Sequence, residues 1–230
     1  MTLKTVALLS PGDMGEGVAA SIIGQGIDVI TVLAGRSGET RMRAERAGIR
    51  DVSDLEALVS EADLVLSIMP PERAEAIAAD VAAAMKKTGN APAFADMNAI
   101  APTTAKRIAA VIADAGAEFI DGGIIGSAPL KSKADTKIYV SGPKAGLMDA
   151  LDGNGKKIIQ LGDEIGRASA VKMIYASVTK GTDSLLTAAY TGRGAGYPGR
   201  SGSGMGGQPA RRAGAHGTPG ACAARRCRPL

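Results

Sequence analysis

Three groups of residues in this chain have the types and spacing to do chemistry. The first follows the apolar run Thr5 to Leu9. There the segment LLSPGDMGEGVAASI puts Ser10, Gly12 and Gly15 at the three places of the strand-to-helix fingerprint G-x-G-x-x-G, with serine at the first glycine's place. Gly12 lets the backbone approach a pyrophosphate, Gly15 lets the helix lie close to its sheet, and the helix N-terminus supplies unpaired amides and partial positive charge. A glycine turn that serves only packing has the same spelling. The second group is LAGRSGETR, after the next apolar run. An NAD site places an acid there against the ribose 2′-hydroxyl. Arg36 can instead stack on adenine and pair bidentately with a 2′-phosphate, Ser37 can add a hydroxyl donor, and Arg41 lies within reach of the same pocket. That pattern favours NADP over NAD, the competing reading being a solvated loop arginine. The third is Lys172, flanked one turn to either side by Ala168 and Ala176. A lysine in a cleft of small side chains is partly desolvated, which lowers its pKa toward acid–base use; the alternative is an ordinary exposed helix lysine.

The elements that must position these residues alternate. Short β-branched runs exchange with alanine-rich stretches, as in a parallel sheet covered by helices on both faces. Strands are expected over Thr5 to Leu9, Asp28 to Leu33, Leu64 to Ile68, Ala93 to Asp96, Glu118 to Ile124, Thr136 to Ser141 and Lys157 to Leu161. From Gly15 to Gly24 the residues Val18, Ala19, Ile22 and Ile23 form one apolar stripe, and Gly26 fits a helix stop. Arg73 to Lys87 and Thr103 to Ala115 read as crossover helices, the second opened by Pro102 at a first-turn position. From Gly166 a longer helix begins, with Val171, Ile174, Tyr175, Val178, Leu185 and Leu186 on or near one face, and it breaks off near Tyr190. The fold class expected is α/β, a Rossmann-like doubly wound, mostly parallel sheet followed by the start of a long interdomain helix. The division is 1–165 for the dinucleotide-binding domain, 166–190 for the helix and 191–230 for a tail.

Composition narrows the classes further. The chain has 230 residues, 45% apolar and 22% charged, within the range of ordinary globular proteins. No apolar run reaches the roughly 18 residues a spanning helix needs, and MTLKTVALLSPGDMG lacks the apolar core and cleavage site of a signal, so a cytoplasmic address is expected. Two cysteines and one histidine argue against a disulfide framework or a Cys/His zinc site, and no metal is expected. The net charge of +4 is unevenly placed: residues 191–230 hold seven Arg and no Lys, Asp or Glu, leaving the body slightly acidic.

Six collinear segments carry a family resemblance: PGDMGEGVA, GRS, SIMPP, ADMNAIAP, FIDGGIIGS and GRASAVKMIYASVTKG. Over roughly residues 4–190 the chain resembles the β-hydroxyacid dehydrogenase family, relatives of 6-phosphogluconate and 3-hydroxyisobutyrate dehydrogenases, and is most similar to its phosphogluconate-dehydrogenase-like subgroup. The resemblance implies a nicotinamide cofactor held by Ser10, Pro11, Gly12, Asp13, Met14 and Gly15, by Arg36 and Ser37, and by Met69, Pro70 and Asn98. Asn98 takes the place of a usual serine or threonine, facing the nicotinamide ribose or carboxamide; helix capping before Pro102 is the alternative. Lys172 matches the family's proton donor and acceptor for the substrate hydroxyl. The substrate loop falls on Gly122, Gly123 and Ile124, but Ile125 stands where the family has a serine. Ala176 stands where it commonly has asparagine, with Tyr175 beside it offering a hydroxyl. The implied activity is hydride transfer between the nicotinamide and a small polar hydroxy or keto substrate, whose identity does not carry over.

In the family, the long helix leads into an all-helical domain that closes the site and builds a homodimer. Here the sequence turns instead to Gly, Arg, Ala and Pro, as a G/C-rich coding sequence does when read in the wrong frame, so a frameshift or miscalled end near Thr191 is expected. The dimer surface would be lost with that domain, and a cofactor-binding module without turnover is the main alternative function. A nucleic-acid-binding arm, suggested by GRGAGYPGR, is a minor alternative, and no membrane partner is expected.

Overall fold

The apolar runs become strands buried on both faces, and successive side chains divide between two cores. Val6 and Leu8 of β1 (Thr5–Leu9) pack into one core with Val29, Leu64 and Leu66, whereas Ala7 and Leu9 pack into the other with Ile30, Val65 and Phe94. That two-sided burial is why these strands are continuous apolar runs rather than alternating ones. The computed structural model of the chain describes residues 3–194. They fall into two units dividing between Thr187 and Ala188, and of the second only the helical segment Ala188–Gly194 is described.

After β1 come α1 (Asp13–Ile23), β2 (Asp28–Thr31), α2 (Gly38–Ala47), β3 (Arg50–Asp51), α3 (Leu55–Glu61) and β4 (Leu64–Ser67). A 3-10 turn at Pro71–Arg73 leads into α4 (Ala74–Thr88), then β5 (Ala93–Asp96), α5 (Pro102–Asp114), β6 (Phe119–Ile125), β7 (Thr136–Ser141), β8 (Lys156–Gln160) and α6 (Arg167–Gly194). The strands form one sheet in the order β3-β2-β1-β4-β5-β6-β7-β8, parallel throughout except for the β6–β7 pair. Val18, Ala19 and Ile22 of α1 and Ala44 and Ala47 of α2 cover one face, while residues of α3, α4 and α5, including Leu58, Val81 and Ile108, cover the other. This is the doubly wound, Rossmann-like arrangement the sequence implies.

Seven strands lie where the pattern places them, with ends displaced by up to two residues. The eighth, β3, has no apolar run to announce it: Arg50 and Asp51 are both exposed. It is held from outside, by Arg50 bridging Asp28 and Glu61 and by Asp51 Oδ1 accepting from Leu33 N at 2.8 Å. Helix α1 starts at Asp13 and ends on Gly24; Gly26, the expected stop, takes a left-handed φ of 83° two residues later. Helix α6 continues past the expected break near Tyr190 to Gly194. Its apolar residues Ile174, Val178, Leu185 and Leu186 are exposed. No helix among the described residues is long and apolar enough to cross a membrane. Residues 195–230, most of the expected tail with its proposed frame change and nucleic-acid role, lie outside the described residues.

Candidate functional site

Strand order reverses at β1, between β2 and β4, and in such sheets the ligand crevice opens beyond the carboxyl ends of the strands at that point. Ser10 leaves β1 with φ of 68°, the left-handed region that favours glycine, and its carbonyl accepts from Gly12 N at 2.8 Å. The turn therefore has the conformation for which the fingerprint's first glycine is used. Gly15 is buried, and a Cβ there would lie 3.2 Å from Ser10 O and 3.4 Å from Leu8, so the helix approaches the strand closely. Gly12 is different: a Cβ on it would meet nothing within 4 Å. It precedes α1, whose first turn receives no hydrogen bond from a capping side chain, leaving amides to face a ligand. Pro11 is buried, Met14 packs half-buried on the core, and exposed Asp13 forms an ion pair with Lys131, which holds its carboxyl below the usual range.

Ser10, Arg36, Met69, Pro70, Arg73 and Ile77 line one cleft of about 160 Å³. It joins the fingerprint turn to the residues after β2 and β4. Ser37 instead caps α2, its hydroxyl accepting from Thr40 N at 3.3 Å. Arg41 donates to Leu33 O at 2.6 Å, the carbonyl that also accepts from Arg36 N at 3.1 Å. Arg73 was not singled out in the sequence, where it reads only as a helix start; its signal is its place three residues after Pro70. The open space at Gly12, the uncapped α1 and this cationic cleft together fit a nicotinamide dinucleotide.

Asn98 is 3% exposed and joins the ends of β4 and β5. Its Oδ1 accepts from Met69 N at 2.7 Å, and its Nδ2 donates to Ser67 Oγ at 2.9 Å and Asp96 Oδ2 at 3.0 Å. Both ends of the amide are engaged within the protein, where it shapes the Met69–Pro70 turn. It does not cap α5, which is preceded by Ala101 and receives no side-chain cap. Burial, opposed by the hydrogen bonds from Asn98, pushes the Asp96 carboxyl up to about 6.

Lys172 stands on the wall of a second cleft, about 460 Å³, with Ala99, Gly126, Ser127, Tyr175, Ala176, Thr179 and Lys180. Its Nζ donates to Ile124 O at 2.5 Å. Burial lowers its pKa, and the like charge of Lys180 adds to the effect. Tyr175 lines the same cleft. Of the expected substrate-loop residues, Gly122 and Gly123 are closely packed and the Ile124 side chain is in the core, while the Ile124 carbonyl takes the hydrogen bond from Lys172. A Cβ on Gly122 would run into Met97, and one on Gly123 would lie 2.8 Å from Lys172 Cβ. Gly126 and Ser127, at the end of the same segment, form the cleft wall instead.

Comparison with known proteins agrees with this fold. Residues 5–162 match the family model described as the NAD binding domain of 6-phosphogluconate dehydrogenase. An uncharacterized 28.5 kDa protein from Methanothermus fervidus is 28% identical over 179 residues, 76% of this chain and 67% of that one. The solved structure of the conserved protein MTH1747, of unknown function and described as similar to 3-hydroxyacid dehydrogenases, matches with TM-score 0.68 and 30% identity over 82% of this chain and 71% of its own. The 3-hydroxyisobutyrate dehydrogenase of Mycobacterium tuberculosis, solved with L-serine, matches in fold with TM-score 0.65 at 24% identity, covering 84% of this chain and 67% of its own.

Proposed function

Because the chain belongs to the family of the NAD binding domain of 6-phosphogluconate dehydrogenase, we propose that it serves an NADP-dependent oxidoreductase acting on a small polar hydroxy or keto substrate. A bound nicotinamide dinucleotide supplies the carbon that accepts or gives the hydride. The chain's own part at one end is electrostatic: the first-turn amides of α1 would hold the pyrophosphate, and Arg36 and Arg73, which line one cleft, would hold a 2′-phosphate. At the other end, Lys172 handles the proton. Its neutral amine takes the hydroxyl proton as the substrate is oxidised, and its ammonium returns one to the oxygen in reduction.

The observation that carries this reading is the placement of Lys172, half-buried on Ile124 O and facing a cleft whose other polar groups are Ser127, Tyr175, Thr179 and Lys180. Those groups suit a small polar substrate and leave the amine free to exchange a proton with it. The test is turnover of NADP⁺ by the full chain with a panel of short hydroxy acids, followed by NADPH absorbance. At least one should be oxidised, with Lys172→Met slowing the reaction by about a hundredfold or more while the variant still binds NADPH. Turnover indifferent to Lys172→Met contradicts the assignment.

A further inference from the structure

Lys172 can act only where α6 puts it, and the start of α6 is fastened to β6 by one buried residue. Asp121 is 0% exposed. Its Oδ2 accepts from Gly166 N at 2.9 Å, Ser169 N at 3.0 Å and Ser141 Oγ at 3.0 Å, while its Oδ1 accepts from Ser169 Oγ at 2.5 Å. Ser141 Oγ in turn accepts from Ala168 N at 3.1 Å. Three of the backbone amides at the start of α6 are thus satisfied by a carboxyl from β6 and a hydroxyl from β7, although Asp121 precedes Ser169 by 48 residues. The usual partner for such amides is a local cap. Here the cap is part of the sheet.

Three residues further along β6, Ile124 O receives the Lys172 ammonium. Between them sits Gly123, where a Cβ would also lie 3.3 Å from Ala168 O, so helix and strand touch without an intervening side chain. The helix is therefore pinned to β6 at both ends of a four-residue span, at its first turn by Asp121 and at Lys172 by Ile124. We infer that Asp121 is the positioning residue for Lys172: it sets the register of α6 on β6 and so holds the amine in its desolvated place. The functional weight of Asp121 rests on the proton-handling role proposed above, but its effect on Lys172 can be read without substrate.

The experiment is trace acetylation of the full chain with acetic anhydride across neutral to alkaline pH, with the Lys172 midpoint read by mass spectrometry against exposed lysines. In Asp121→Asn an amide nitrogen replaces one of two oxygens that both accept, so the first turn of α6 loses partners and Lys172 moves toward solvent. Its midpoint should rise by about half a pH unit or more. Ser141→Ala, which unpairs Ala168 N and keeps the carboxyl, should move the midpoint the same way by a smaller amount. If Asp121→Asn does not fold, Ser141→Ala decides. Thr31→Val, which loses a buried hydrogen bond to Leu8 O away from α6, should lower stability and leave the midpoint unmoved. A folded Asp121→Asn or Ser141→Ala protein with the wild-type midpoint overturns the inference. NADPH binding by the wild-type chain is scored separately, so failure of the oxidoreductase reading stays distinguishable from failure of this one.

Discussion

Asp96 and Asp121 are register partners on neighbouring strands β5 and β6, both buried, and each is satisfied by a different set of donors. Asp121 holds α6, whereas Asp96 accepts from Asn98 N at 2.9 Å and from the Asn98 amide. They belong to one transverse row, Ser67, Asp96, Asp121 and Ser141, that crosses four strands near the site.

That arrangement makes stability depend on pH with a defined sign. Burial chiefly raises the Asp96 carboxyl from 3.8 to about 6, with the neighbouring charge of Asp121 adding to the shift. Between those values the folded state keeps a proton that the unfolded state has lost. The stabilisation is full below pH 3.8 and disappears as pH rises through about 6. The unfolding free energy of the wild type relative to Asp96→Asn should therefore fall by about 2 kcal/mol between roughly pH 4.5 and 7.5, measured by urea denaturation. A constant difference, or one that grows with pH, contradicts the buried-acid account.

Lys156 gives the opposite sign. It is 1% exposed, and its Nζ donates to Ser21 Oγ at 2.7 Å and Gln25 Oε1 at 2.8 Å, tying β8 to α1. Burial lowers its pKa from 10.5 to about 8, opposed by the charge of Asp152. Between those values the unfolded state binds the extra proton, so stability should rise with pH. Wild type should gain about 2 kcal/mol relative to Lys156→Met between roughly pH 7 and 9.5. Parallel denaturation curves for the two proteins at both pH values would show that the amine is not desolvated.

The turn at Ser10 stores strain that glycine would release. A non-glycine residue in the left-handed region costs about 1–2 kcal/mol, part of which glycine forfeits through the freedom it adds to the unfolded chain. Ser10→Gly is expected to stabilise the protein by about 0.5 kcal/mol in urea denaturation and to keep the cofactor site. A loss of stability would show that the Ser10 hydroxyl holds the turn.

What could be read in the sequence follows from how far each feature's partners lie along the chain. The strands are visible because two-sided burial writes itself as local apolar runs, and the fingerprint turn because its demands fall within Ser10 to Gly15. Two exposed residues cannot announce β3. The buried polar groups were equally silent: Lys156 meets Ser21 from 135 residues away and Asp121 meets Ser169 from 48. Each reads alone as a surface charge. Lys172 was legible through the segment around it, but its acceptor, Ile124 O, belongs to a backbone that no residue type identifies. The substrate-loop glycines are visible only through the family resemblance, and the packing of Gly122 against Met97 and of Gly123 against α6 is written in no residue type.

The most direct test of the central claim, an NADP site built on Ser10 to Gly15 and Arg36, is a parallel thermal-shift titration of the full chain with NADPH and NADH. A ligand that binds only the folded state adds about 2.7 kcal/mol at a hundred times its Kd. NADPH should raise the melting temperature at concentrations at least about tenfold below those NADH needs, and Arg36→Ala should abolish most of that difference. Equal shifts with both nucleotides, an Arg36→Ala protein that still prefers NADPH, or a cooperative melt that neither nucleotide moves would contradict it.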